Sequence, residues 1–408
     1  MKLNSLKLVS TLAALFAVAA VADTVTGISC AQRWPWNGKV DISYSLTPYT
    51  EKTTPVFSVR FYGKIGDGET FALTTLEGDG ASGLILGSGA KRTTWDASAD
   101  LGSSINADNV KIAVVAQDVT SQATYLWLDL DTFAMNYSAS GPTVGTDEAG
   151  RACKTSQIWF RRIEDGKFTM GSSSEPERNA EREGSHQVTI TKAFYIAVFE
   201  TTGAQFDTVV TGVGTNVVTP KDTISFNAIR GDVYGATWPS KTDYRVDSES
   251  FLGKLRAKTG NGLIFDLPTE AQWEMASRDK GNGTYWGDGY LNNGTRFTTS
   301  AALASGLESI AWFTSNAGGA THEVGTKNPS TVGLYDMHGN VWEWCLDWST
   351  ADITGYTTDP VGPTTGSARI ARSGGWGNTA GYCRIAYRHY GDPSAAAANR
   401  GFRLAIVQ

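Results

Sequence analysis

Gly333-Leu334-Tyr335-Asp336-Met337-His338-Gly339-Asn340-Val341-Trp342-Glu343-Trp344 is the stretch whose reading decides the fold. It is rich in Gly and Trp and carries no long helical pattern, and the sequence on either side shares both traits. Short strands and long ordered loops must therefore bury most of the tryptophans. Two helices are signalled in this half of the chain. Thr269, with Gln272 three residues on, makes a capping box after Pro268. A second helix is expected over residues 248–258, with Ser248 as N-cap and Phe251, Leu252 and Leu255 as its apolar stripe.

Towards the N-terminus the period changes. Val40, Ile42, Tyr44 and Leu46 alternate with Asp41, Ser43 and Ser45, which is the pattern of a strand half-buried on a core. The same period returns at Phe57, Val59 and Phe61, at Phe71 and Leu73, at Ile112 and Val114, and at Tyr125 and Trp127, with Gly, Asp and Ser turns between. Short strands at this spacing predict a β-sandwich of the immunoglobulin or fibronectin type over residues 28–134. Residues 135–157 turn to Ser, Gly, Thr, Asp and Pro and are expected to be a linker to a second domain over 158–408. No repeat of fixed period is found.

The chain has 408 residues, 41% of them hydrophobic, enough for one large or two ordinary domains. Its formal net charge of -6 and lack of a long basic run offer nothing for a phosphate backbone, so nucleic acid is not an expected partner. Lys2 and Lys7, the apolar run over residues 8–19 and the small residues Ala20-Val21-Ala22 predict a signal peptide over residues 1–22. The run is too short to span a bilayer, and Cys30 lies too far beyond it for a lipid anchor. The expected location is therefore secreted, periplasmic or cell-surface, without a transmembrane segment. In that setting Cys30, Cys153, Cys345 and Cys383 are expected as disulfide partners. Three pairings are open, and Cys345–Cys383 with Cys30–Cys153 keeps each domain closed.

A series of motifs in fixed order resembles the formylglycine-generating-enzyme, or sulfatase-modifying-factor, family. It runs from Phe168-Thr169-Met170-Gly171-Ser172 through His186-Gln187-Val188-Thr189, Phe194-Tyr195-Ile196 and Leu267-Pro268-Thr269-Glu270-Ala271-Gln272-Trp273-Glu274 to the opening stretch. It closes with residues 372–376, residues 383–388 and Gly401-Phe402-Arg403. The resemblance implies an α+β, C-type-lectin-like domain with little regular secondary structure. It also implies a calcium site using the side chains of Asp336 and Glu343 and the backbone oxygens of Gly339 and Val341, since hard cations take oxygen ligands. The alternative is that the two carboxylates cap turns or pair with arginines.

The active enzymes of the family bind Cu(I) through two cysteines and oxidise a substrate cysteine to formylglycine. The motif places Ser373-Gly374-Gly375 before the pair, Asn378 at the first cysteine and Cys383 at the second. An amide is a poor ligand for a soft ion, so copper is not expected to bind as it does in those enzymes. Iron is equally unsupported, because His186, His322, His338 and His389 are scattered without a His-x-x-x-His or His-x-Asp pair and are read as framework or surface residues. No nucleophile elbow or phosphate loop is present. Around them, Trp376, Asn378, Tyr382, Arg384, Tyr387, Arg388, His389, Tyr390 and Asp392 have the composition of a recognition surface or of a Trp-rich core. The function expected is a ligand-binding or interaction module for a protein or glycan outside the cytoplasm; the alternatives are an oxidase working through Cys383 and a surface protein with no specific ligand.

Overall fold

The computed structural model describes residues 24–33, 37–48, 54–102, 110–173, 178–231, 245–278 and 307–407. The expected signal peptide lies outside them. Strands predominate, and no described helix is long and apolar enough to cross a membrane.

Two antiparallel sheets make the first core. One contains β1 (Val25–Gln32), β2 (Lys39–Leu46), β7 (Gly89–Asp96) and β5 (Leu76–Gly78), with α1 (Ala97–Leu101) following β7. The other joins β4 (Thr70–Ala72), β3 (Val56–Ile65) and β6 (Leu84–Leu86), with β8 (Val110–Asp118) also paired to β3. The alternation read at β2 is followed to the residue: Val40, Ile42, Tyr44 and Leu46 are buried and meet Val59, Phe61, Ile112 and Val114 of the opposite sheet. Burying such side chains is worth about 1.5–3 kcal/mol each.

The next strand corrects the reading. β9 (Tyr125–Asp129) does not join these sheets but pairs with β10 (Met135–Ser138) and β11 (Gln157–Ile163). Its inward residues Leu126 and Leu128 pack with Ile158 and Phe160 in the larger core. A period of two says that a strand is half-buried, not which sheet it joins. The stretch read as a linker likewise carries β10 and α2 (Glu148–Thr155), whose Asp147 side chain caps its N-terminus.

The larger sheet runs β10-β9-β11-β14-β20-β15, where β14 is Phe194–Ala197, β20 is Ala405–Val407 and β15 is Ile264–Asp266. A hairpin of β12 (Gly166–Met170) and β13 (His186–Ile190) stands beside a four-stranded sheet of β18 (His389–Gly391), β17 (Arg369–Arg372), β16 (Trp342–Trp348) and β19 (Arg400–Gly401). The helices α3 (Gly203–Thr211), α4 (Phe226–Arg230), α5 (Phe251–Lys258) and α6 (Glu270–Ser277) are short. α6 has both bonds of the expected capping box between Thr269 and Gln272. α5 starts later than expected because Ser250, not Ser248, accepts the amide of Gly253 and caps it.

α6 is buried together with its charges. Glu270 and Glu274 are 3% and 0% exposed. Arg372 of β17 reaches both and lies 2.8 Å from Glu270. Arg278 is 2.8 Å from Glu274, and Arg388 is 2.6 Å from Glu270. Glu274 also accepts the amide of Gly171, just after β12, at 2.7 Å. The helix thus ties the hairpin to the four-stranded sheet through charges that have no water to fall back on.

Removing one member of this set leaves its partners charged and buried. Glu274→Gln is expected to cost about 3–5 kcal/mol, read as a lowered urea midpoint; an unchanged midpoint would contradict the assignment. Asp347 of β16 gives a pH signature. Burial, and then repulsion from Glu270, pushes its carboxyl up to about 7. The folded chain therefore holds a proton there that the unfolded chain releases near its ordinary value of 3.8. Stability is expected to fall as pH rises from about 4 to 7. Asp347→Asn should flatten that slope in denaturation curves taken across the range; an unaltered slope would refute it.

Candidate functional site

The segment from Arg372 to Asp392 leaves the end of β17, turns twice through left-handed backbone at Ser373 and Gly374, and enters a 3₁₀ turn, Ala380–Cys383. Ser373 donates its hydroxyl to the Gly339 carbonyl at 3.1 Å, and its own carbonyl accepts the amide of Gly339 at 2.8 Å. Gly374 has φ +82°, and a Cβ there would stand 2.7 Å from the Cys383 sulfur. Glycine is required for the chain to pass so close to the thiol.

Cys383 itself is fully buried, and burial pushes its thiol up to about 12. Its carbonyl accepts from His338 Nδ1 at 2.6 Å, and burial holds the imidazole down to about 4, hence neutral at pH 7. Asn378 is half-buried, and its Oδ1 has no hydrogen-bond partner among the described residues. One cysteine, with an amide at the other position of the motif, does not fit Cu(I), which takes two thiolates.

The structure contains none of the expected disulfides. All four cysteines are free thiols. Cys30 packs against the first core and Cys153 belongs to a separate cluster with Val198, Phe199 and Val324, so a bond between them would have to bridge two cores. Cys345 and Cys383 share one core but are unbonded, and burial raises both thiols.

The structure brings Asp336 and Glu343 into one buried cluster and adds a residue that sequence reading missed, Glu200. Arg403 is at its centre. Glu343 receives Arg403 through both of its oxygens, the closest approach being 2.7 Å, and also accepts the indole N–H of Trp273 at 2.6 Å. Asp336, with φ +56°, accepts the Gly325 amide at 2.7 Å through Oδ2, while its buried Oδ1 has no partner among the described residues. Burial pushes its carboxyl up to about 6. Glu200 accepts Asn340 Nδ2 at 2.7 Å and the Val341 amide at 3.1 Å. Its carboxyl is held well above the usual range by burial and then by the charges of Asp336 and Glu343.

Tested against calcium, Asp336 Oδ1 suits a hard cation and the Gly339 carbonyl keeps a second lone pair, but Glu343 is already occupied by a guanidinium and an indole. The expected four-residue set does not fit the ion. Pairing with arginine, the alternative reading of Glu343, is what the geometry contains.

The expected recognition surface is also divided by burial. Arg384 is buried against Glu183, with bonds of 2.7 and 3.0 Å, and Arg388 against Glu270, so neither faces solvent. Tyr382 and Tyr390 are 41% and 44% exposed. Tyr387 lies between core and surface, 4.8 Å from the Tyr382 ring, and Arg182 covers Tyr390 at 4.4 Å. Trp376 is half-buried, His389 stacks on Trp342 at 4.5 Å, and Asp392 is exposed and caps the Ser394 turn. The histidines remain apart, and no group of three or more His, Cys, Asp or Glu residues among the described ones could hold a metal.

Residues 146–407 match the family model of the sulfatase-modifying factor enzyme 1-like domain. The formylglycine-generating enzyme of Thermomonospora curvata is 36% identical over 149 residues, covering 34% of this chain and 48% of that protein. The chain thus spans about half the length of this relative. The mouse (Mus musculus) formylglycine-generating enzyme is 27% identical over 274 residues, covering 59% of this chain and 73% of the enzyme. Among solved structures, Treponema denticola variable protein 1 aligns at a TM-score of 0.47 and 24% identity, over 66% of this chain and 99% of that one.

The buried thiol makes a direct prediction. Native protein at pH 8 should leave Cys383 unlabelled by iodoacetamide, whereas the unfolded chain should be labelled in full, read by peptide mass spectrometry. Rapid native labelling would contradict its burial and raised pKa.

Proposed function

The chain belongs to the sulfatase-modifying factor family, and on that premise we propose that it is a binding member of the family rather than an oxidase. One observation carries the reading: Cys383 is fully buried, with Asn378 where the first copper-binding cysteine would stand. A single cysteine offers Cu(I) only one of the two thiolates it takes. The relatives' printed activity, formylglycine generation, is therefore not carried over to this chain.

The ligand surface in this reading is smaller than composition suggested. It consists of Tyr382, Tyr387 and Tyr390 with Arg182, flanked by Trp376 and Asp392. Tyrosine and arginine supply contact area with few rotors to immobilise. A protein or glycan ligand suits such a face. The proposal extends to the fold and its setting: a C-type-lectin-like scaffold displays the surface, the preceding two-sheet module is a spacer of immunoglobulin type, and the mature chain is exported after cleavage near Ala22. No role for calcium is derived.

Copper titration of the reduced protein tests this reading. Cu(I) should fail to bind stoichiometrically in competition with a bidentate chelator, and Cys383→Ala should change nothing. Tight one-to-one binding that Cys383→Ala abolishes would overturn the proposal in favour of an oxidase.

A further inference from the structure

Arg400 is a buried cation that meets no carboxylate among the described residues. It is 9% exposed, and its buried Nε has no hydrogen-bond partner there. Arg230, Arg372, Arg384, Arg388 and Arg403, buried like it, each make an ion pair. A buried charge without a counter-charge is costly, because water cannot take the partner's place. What Arg400 does meet is neutral. Its Cζ stands 4.6 Å from the centroid of the Trp344 ring, and its Nη2 lies 3.3 Å from His389 Nε2. Burial, and then the Arg400 charge, push that imidazole down to about 4, so it accepts from the guanidinium and supplies no negative charge. Asp392, just beyond β18, is exposed and turns its carboxylate to the Ser394 amide and hydroxyl instead, at 2.8 and 2.7 Å.

The side chain starts on β19, passes over Trp344 of β16 and ends beside β18, the opposite edge of the same sheet. Gly391 of β18 lies against its tip: a Cβ there would stand 2.8 Å from Cζ. Glycine at this position is what leaves the guanidinium room at the sheet edge. The tip also adjoins the tyrosine surface, because the Trp342 ring contacts both His389, at 4.5 Å, and Tyr387, at 5.8 Å.

We propose that a partner protein docks at this edge through an acidic side chain, Asp or Glu, whose carboxylate pairs with the Arg400 guanidinium. Two carboxylate oxygens match the guanidinium fork, and the pair supplies the missing counter-charge. The tyrosines favour a protein over a sugar. A sugar ring stacks on an open aromatic face, but Arg182 already covers Tyr390 at 4.4 Å, and Tyr382 and Tyr387 lean on each other at 51°. β18 ends its sheet, so an extended segment also meets main-chain groups there. The proposal names the ligand chemistry of the tyrosine surface and so rests on the reading of the chain as a binding protein; copper titration tests that reading by itself, and the peptide titration below tests only the Arg400 site.

Calorimetric titration of the full chain with an acetylated and amidated Gly-Glu-Gly peptide tests it, with the Gly-Gln-Gly peptide and glucuronate as comparisons. The Glu peptide should bind at one site, roughly fivefold or more tighter than the Gln peptide, and more weakly as salt is raised. Arg400→Met should abolish that preference while keeping or raising Tm, since it removes an unpaired buried charge. Gly391→Ala should weaken the Glu peptide severalfold by displacing the guanidinium, and it decides the matter if Arg400→Met does not fold. Equal affinity for the two peptides, or no binding of the Glu peptide, overturns the proposal, as does a preference that these variants leave intact. Glucuronate binding more tightly than the Glu peptide overturns it in favour of an acidic glycan.

Discussion

Arg372 bridging Glu270 and Glu274 is the interaction on which the second half of the molecule depends. Two carboxylates four residues apart on one helix repel each other, and burial makes the repulsion worse. Arg372 lies between them, Arg278 and Arg388 take the remaining oxygens, and the helix can then be buried whole. Arg372 stands immediately before Ser373-Gly374-Gly375, and Arg388 stands just beyond Tyr387. Both ends of the segment that carries Asn378, Cys383, Tyr382 and Tyr387 are thus fastened to α6. The loop between them is held by charges at its ends and, at its centre, by Arg384 on Glu183 and the Cys383 carbonyl on His338.

That arrangement separates framework from chemistry. The residues at the centre of the loop can change while its ends stay clamped, which is how a chain can retain the family's motifs over residues 146–407 and yet present an amide and a buried thiol. The second charged centre follows the same logic. Arg403 holds Glu343 and also donates to the carbonyls of Ala197, Val198 and Tyr335, so it joins β14 to β16 while supplying the positive charge of the cluster. Glu200 and Asp336 make no ion pair with an arginine or lysine among the described residues, and burial raises the pKa of both.

Much of this was legible in the sequence, with a physical limit to each reading. The alternation in β2 and the capping box of α6 are local, and both were read correctly. The family motifs contain Asp336, Glu343 and Arg403 but not Glu200. What periodicity did not carry was partnership: the strand at Tyr125 and Trp127 was recognised, but not the sheet it joins. Charge roles were hidden for the same reason. Glu270, Glu274 and Arg403 stood within the quoted motifs, yet only the fold brings them to Arg372, Arg388 and Glu343. For Arg384 and Arg388 composition left recognition surface and Trp-rich core both open, and their carboxylates, Glu183 and Glu270, lie far away in sequence. Two glutamates at a four-residue spacing on a helix flanking Trp273 were the available signal that arginines must be buried beside them. The even cysteine count suggested disulfides, but counting cannot tell whether two thiols fall in one core.

The claim that the framework persists without the oxidase is tested most directly by incubating reduced protein with Cu(I), oxygen and a cysteine-containing sulfatase peptide, with a formylglycine-generating enzyme as control. Mass spectrometry should find the peptide's cysteine intact in the sample and converted in the control. Appearance of the formylglycine aldehyde at the control's rate would contradict the account.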